Sequence, residues 1–366
     1  MNTKAVTEDQ DDVIDDAVSD KSVAIEKYAI SSFGIDFDVE GLIRRMKKGE
    51  IYVPDFQRNF VWSHRESSQF VESLLLGLPV PGVFLAKDRQ TQKLMIIDGQ
   101  QRLKSLQFFY DGYFRPDLSK KHQQVFELTE VQPQFAGRTY ETLDEEDQRR
   151  LDNSVIHATI IKQDSPDEEE DSSLYYVFGR LNSGGRKVTA QEIRTAIYNG
   201  ELSELIERLN SSTTWRSLFG KESIRLKDRE LILRFLALYD DAGRYERPME
   251  EFLNRYARKY RHGPAKHLKK VEAVFQKTIS TAYSALGASA FRPVRSMNAA
   301  VFDSIAVALA WRLDRGPITN EAALKRAFEK LAQSDDYIKA TSSSTADEGS
   351  VETRLRLATE AFASVK

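Results

Sequence analysis

The 366-residue chain has no cysteine. That absence excludes disulfides, a thiolate nucleophile and cysteine-ligated zinc, and it fits a reducing compartment. Histidine is scarce as well, with five in all: His64, His122, His157, His262 and His267. Only His262 and His267 lie near each other, inside a basic stretch, so no metal site is expected from them. Long apolar runs are missing. None approaches the roughly 20 residues of a membrane span, and the first residues lack the apolar core of a secretory leader. A soluble, cytoplasmic protein without membrane contact is the expectation.

Charge is abundant but uneven. The net charge is -3 over the whole chain. The first 22 residues hold seven acids against two lysines, and "DSPDEEED", Asp164 to Asp171, holds six acids. Blocks of like charge are usually solvated tails or loops. Residues 1–22, acidic and poor in large apolar side chains, read as a disordered tail. By contrast, Arg244 to Lys270 carries nine Lys/Arg against three Glu, interleaved with Tyr245, Phe252, Tyr256 and Tyr260. Such a surface suits the DNA backbone. At helical spacing, the same aromatics also suit a core.

Periodicity divides the chain. "KYAISSF" alternates as a strand and "VEGLIRRMKKGE" has helical spacing. "SHRESSQFVESLLLGLP" opens on a capping box, Ser63 with Glu66, and closes at Gly77 before Pro79. "VPGVFLAKDRQTQKLMII" reads as two strands joined by a polar turn, and "SVIHATIIKQ" as another strand. "VFEL" is a candidate strand, and a charged helix is expected to open at Thr142. Thr189 and Glu192 form a second capping box over a helix expected to stop at Gly200. Beyond residue 200 the periods are almost wholly helical, strongest in "DRELILRFLALYD" and "NAAVFDSIAVALAWRLD". The fold class expected is α+β: a tail over 1–22, an α/β domain over 23–200 and an all-helical domain over 201–366.

Three short stretches carry chemistry. In "KLMIIDGQQRLKSLQFF" an apolar strand runs into Asp98, Gly99, Gln100, Gln101 and Arg102, on the first turn of a helix. Unpaired N–H groups and the positive end of the helix dipole favour phosphate there. Gly99 permits close approach, and Arg102 adds a planar donor fork. The plainer reading is a capping pair, Asp98 with Gln101, beside a surface arginine. In "PDFQRNFVW", a loop bounded by Pro54 carries Gln57, Arg58 and Trp62. This suits a base or a phosphate, or simply a tryptophan anchor. In "FGRLNSGGRKVTAQEIRTA", Gly184 and Gly185 leave room for a backbone nest over an anion, with Asn182, Arg186 and Arg194 nearby. A plain helix connection is the alternative.

Together, "IYVPDFQRNFVW", "IIDGQQRL" and "FGRLNSGGRKVTAQEIRTA" resemble the domain of unknown function 262 family. Its members are similar to ParB and sulfiredoxin in fold and include the nuclease GmrSD, which cuts modified phage DNA. The likeness runs from about Tyr28 to the C-terminus. It implies a ParB/sulfiredoxin-like nucleotide-binding domain followed by helices. It implies catalytic roles for Asp98, Gln100, Gln101 and Arg102, and nucleotide contacts for Gln57, Arg58, Gly99, Arg102, Asn182, Gly184 and Gly185. The cofactor implied is a nucleoside triphosphate of unspecified base, with Mg2+ as its companion ion.

One departure stands out. Many relatives carry a C-terminal histidine–asparagine–histidine nuclease domain, and the five histidines here do not make that pattern. The expected function is therefore a nucleotide-binding, nucleoside-triphosphate-hydrolysing sensor subunit of an anti-phage or restriction system. Its partners would be DNA and a separate nuclease or other defence subunit, with self-association left open. A non-catalytic DNA-binding module is the alternative. Direct DNA nicking is the remoter one, since only Asp98 is well placed for a metal.

Overall fold

The computed structural model describes residues 13–14, 30–54, 60–88, 91–116, 122–163, 177, 179, 181 and 189–366. They fall into two compact units. One spans Lys27–Val188, and the other joins Thr189–Lys366 to the described residues at the N-terminus, Val13–Ile14 (β1).

The first unit is built on a five-stranded mixed sheet. Its strands are Ile30–Asp38 (β2), Ile51–Tyr52 (β3), Val83–Lys87 (β4), Leu94–Asp98 (β5) and Val155–Gln163 (β6), in the order β2-β6-β4-β5-β3. β2 pairs antiparallel with β6 from Ile30↔Gln163 to Asp38↔Val155. β4 runs parallel to β6 and antiparallel to β5, while β3 runs parallel to β5. The alternation in β6 turns Ile156, Ala158 and Ile160 toward the helices, as a period of two requires. Val83, Leu85 and Ile96 do the same from β4 and β5.

Four helices supply the other half of that core: Val39–Lys47 (α1), His64–Leu75 (α2), Gln100–Asp111 (α3) and Glu145–Asp152 (α4). Val39, Leu42, Ile43, Val71, Leu74, Leu103, Leu106, Phe109 and Leu151 are buried together. α2 begins where its capping box predicts: Ser63 accepts from the Glu66 N–H and Glu66 reaches back to the Ser63 N–H at 2.7 Å. It ends on Gly77, at φ +68, where the Gly77 and Leu78 amides bond back to Leu74 and Ser73. Two local expectations differ from what is found. "VFEL" contributes only an isolated bridge, Tyr113↔Val125. The charged helix opens at Glu145, after a single 3-10 turn over Tyr140–Thr142.

The second unit is helical. It contains Ala190–Ile197 (α5), Glu201–Asn210 (α6), Thr213–Phe219 (α7), Lys227–Asp241 (α8), Met249–Lys259 (α9), Ala265–Leu286 (α10), Ala299–Asp314 (α11), Glu321–Ala332 (α12), Asp335–Ser342 (α13) and Glu348–Phe362 (α14). α11 is apolar nearly all round and is buried along almost its whole length, as such a helix must be. Trp215, Phe275 and Phe302 pack edge to face or tilted around it. Inside lies a fully buried ion pair: Asp303 and Arg354 meet through two 2.9 Å bonds. No described helix is long and apolar enough to cross a membrane. An α+β protein, mixed sheet first and helices after, is what the sequence led one to expect.

In this unit two sequence readings are corrected, and one that favoured the core is met. Gly200 does not stop α5, which ends at Tyr198. It precedes α6, and a Cβ there would lie 2.4 Å from the Arg261 carbonyl oxygen. The aromatic residues of the basic stretch are largely core. Phe252 and Tyr256 are buried, and Tyr245 packs edge-on to Phe252. Many of its cations are committed: Arg247 to Asp347, Arg255 to Glu246, Lys259 to Asp241. Finally, two residues of the expected disordered tail are ordered. β1 lies parallel to Met297–Asn298 (β7), and Val13 is buried.

Candidate functional site

α3 leaves β5 with one residue between them. That residue, Gly99, has φ +97 and ψ 8, left-handed values that a side chain tolerates poorly. The space is closed as well, because a Cβ on Gly99 would stand 2.4 Å from Val83 Cγ1 and 2.9 Å from Val83 Cβ. Glycine is thus demanded both by the turn and by packing against β4. As the N-cap residue it offers no side-chain oxygen to the first-turn N–H groups. The helix therefore begins without a side-chain cap from its own N-cap residue, at the positive end of its dipole.

The polar residues of the turn are wired to one another and to the loop before α2. Asp98 does not cap the helix. Its Oδ2 accepts from Arg102 Nη2 at 2.7 Å, one helical turn away. Arg102 is largely buried, with 14% of its side chain exposed, whereas Asp98 retains 39%. The acid therefore faces the open side and the guanidinium lies behind it. Gln101 does not pair with Asp98 either. Its Oε1 accepts the Val61 and Trp62 amides, at 2.9 and 3.2 Å. The capping-pair reading of this turn is excluded by those contacts. Gln100 lies half-buried on the first turn.

Of the first motif, residues 51–54 and 60–62 are described, and the latter lead into Ser63. Gln57 and Arg58 lie outside the described residues, as do Asn182, Gly184, Gly185 and Arg186 of the third. Trp62 anchors edge-on against Phe70 at 5.7 Å, and Phe60 against Phe108 at 5.0 Å. A residue that sequence reading missed closes the segment from the other side. Arg115 donates to the Trp62 carbonyl at 2.6 Å, and its guanidinium lies over the Phe60 and Phe114 rings at 5.4 and 5.3 Å. Its φ is +49, which is uncommon away from glycine. Only the run of aromatics around it could have hinted at this.

Arg194 is not a free anion donor. It is buried in the helical unit, donating to Asn254 at 2.8 Å, to Gln191 and to the Glu250 carbonyl. The capping box before it does form, with Thr189 accepting from the Glu192 amide. Among the described residues no three His, Asp or Glu side chains are grouped to hold a metal ion. Asp98 is the one carboxylate of the turn.

Comparison with known proteins finds a likeness over the part of the chain that holds this turn. Residues 39–199 match the model of the GmrSD restriction endonuclease N-terminal domain. An uncharacterized protein of Methanocaldococcus jannaschii is 30% identical over 96 residues, covering 20% of this chain and 16% of that protein. The match thus spans about a sixth of that relative's length.

Proposed function

We propose that this chain, whose residues 39–199 form a GmrSD restriction endonuclease N-terminal domain, binds and hydrolyses a nucleoside triphosphate as the sensor subunit of an anti-phage restriction system. DNA and a nuclease subunit are its proposed partners. One observation carries the nucleotide reading: the uncapped N-terminus of α3 with Arg102 beside it, reached through a glycine that admits no other side chain. Backbone N–H groups at a helix start, with an arginine fork, make a phosphate site.

In this reading the resting pair opens when nucleotide arrives. Arg102 exchanges Asp98 for phosphate oxygens, keeping a charge-assisted bond throughout. Asp98, already on the open side, is released to hold a magnesium ion carried by the phosphates or to orient a water. Gln100 presents its amide from the same turn. Gln101 is a positioning residue, since its carbonyl is engaged by the Val61 and Trp62 amides. Gln57, Arg58, Asn182, Gly184 and Gly185 are proposed nucleotide contacts on the family resemblance alone.

Isothermal titration with the four ribonucleoside triphosphates and magnesium, followed by a phosphate-release assay, tests the reading. Heat and phosphate release are expected with at least one of them. Arg102→Ala should weaken binding about ten- to a hundredfold, the worth of a charge-assisted hydrogen bond. No heat with any of the four would refute it.

A further inference from the structure

We infer that Arg115 is the latch that holds the first-motif segment over the start of α3, and through it sets how tightly the phosphate site binds. Three independent features converge on this exposed side chain. Its backbone is left-handed at φ +49, a conformation that disfavours any residue with a Cβ and persists only where its surroundings enforce it. The guanidinium lies over both Phe60 and Phe114, themselves packed edge to face, within the range of cation–π attraction to each. It also donates to the Trp62 carbonyl at 2.6 Å. Exposed arginines rarely hold one geometry, because freezing the side chain costs entropy. Here ring, carbonyl and backbone fix it together.

The consequence follows from what grips the other side of the same residue. The Trp62 amide is held by Gln101, on the first turn of α3. The Trp62 carbonyl is held by Arg115, four residues beyond the end of that helix. Thus both polar groups of one backbone residue are tied to the two ends of α3. The segment cannot move from the phosphate site without breaking one of them. Arg115 does not reach the motif turn itself, so it acts by positioning. The role in nucleotide affinity rests on the reading given above, whereas the latch stands on geometry alone.

Hydrogen exchange followed by mass spectrometry tests the latch without nucleotide. In Arg115→Ala the peptide containing Val61 and Trp62 should exchange about ten- to a hundredfold faster, as expected for a lost charge-assisted bond. The melting temperature should fall by only a few degrees, as one lost contact in a unit of this size implies. Arg115→Lys keeps the charge and reach but not the planar guanidinium, and should restore part of the protection. Unchanged exchange at Val61 and Trp62 in Arg115→Ala would overturn the latch. So would equal acceleration throughout the first unit, which would mean a general loss of stability. In the nucleotide titration, Arg115→Ala should weaken binding in step with the exchange, with Arg115→Lys between it and the parent. Undiminished affinity in Arg115→Ala would overturn its role at the site. A parent protein that binds no nucleotide would remove that role together with the proposed function, while the exchange data would still decide the latch.

Discussion

Substituting alanine at Gly99 tests whether the start of α3 is built as described. Two costs add. The left-handed backbone at φ +97 penalises a Cβ by about 1–2 kcal/mol. The new methyl would also stand 2.4 Å from Val83 Cγ1, in a residue that is 1% exposed and has no room to retreat. Overpacking of that kind costs about 1–3 kcal/mol. Together they predict a loss of about 2–5 kcal/mol, and a fall in melting temperature of roughly 5–15 °C for a unit of this size. Differential scanning calorimetry reads the transition directly. A double-mutant cycle separates the causes. In a Val83→Ala background, Cγ1 is gone while the residue 83 Cβ stays, so the cost of Gly99→Ala should fall part of the way toward the backbone penalty. Equal cost in both backgrounds would show that the Val83 contact plays no part. A Gly99→Ala protein as stable as the parent would refute both causes at once.

Asp98→Asn should leave nucleotide affinity unchanged or raise it several-fold while abolishing hydrolysis. It releases Arg102 and removes a like charge worth roughly 1 kcal/mol at 4 Å in water; a loss of affinity matching that of Arg102→Ala would refute this. Acid should weaken the first unit through His64, whose pKa is held below 6.5 by burial, against an opposing pull from the Glu127 backbone. As pH falls through 6.5 the unfolded chain takes up the proton first, so stability drops as the pH falls through and below that value. His64→Phe, which keeps the stack on Phe114, should flatten that slope in thermal melts; an unchanged slope would count against the assignment. In the helical unit Asp303→Asn strands the buried Arg354 charge and should cost about 3–5 kcal/mol in urea unfolding. A cost under about 1 kcal/mol would mean that Arg354 finds another partner.

Much of the fold was legible because its signals are local. The Ser63–Glu66 and Thr189–Glu192 capping boxes each place a helix start from four residues. The alternation of "SVIHATIIKQ" and the two apolar runs around Thr91 became β6, β4 and β5. What failed was decided by partners distant in sequence. Gly200 looks like a helix stop, yet it is glycine because the Arg261 carbonyl approaches from sixty residues away. Arg194 reads as an anion donor in its motif, but Asn254 and the Glu250 carbonyl claim it. The aromatics among the cations of 244–270, by contrast, were read as more often core at helical spacing, and Phe252 and Tyr256 are buried.

The turn at Asp98 shows the same division at finer scale. Its residue types and its position after a strand suffice to suggest an anion site. They do not show how the side chains are occupied at rest. The i, i+4 spacing of Asp98 and Arg102 makes their pairing natural once the helix forms. Gln101 sits between them on another face, so it is directed at the Phe60–Ser63 segment. The motif is thus a helix turn whose residues satisfy each other and their neighbours before any ligand comes. In the proposed reading, a phosphate competes with Asp98 for Arg102 rather than filling an empty fork. Affinity would then be a difference between two charge-assisted pairings, which is why neutralising Asp98 and removing Arg102 are expected to act in opposite directions.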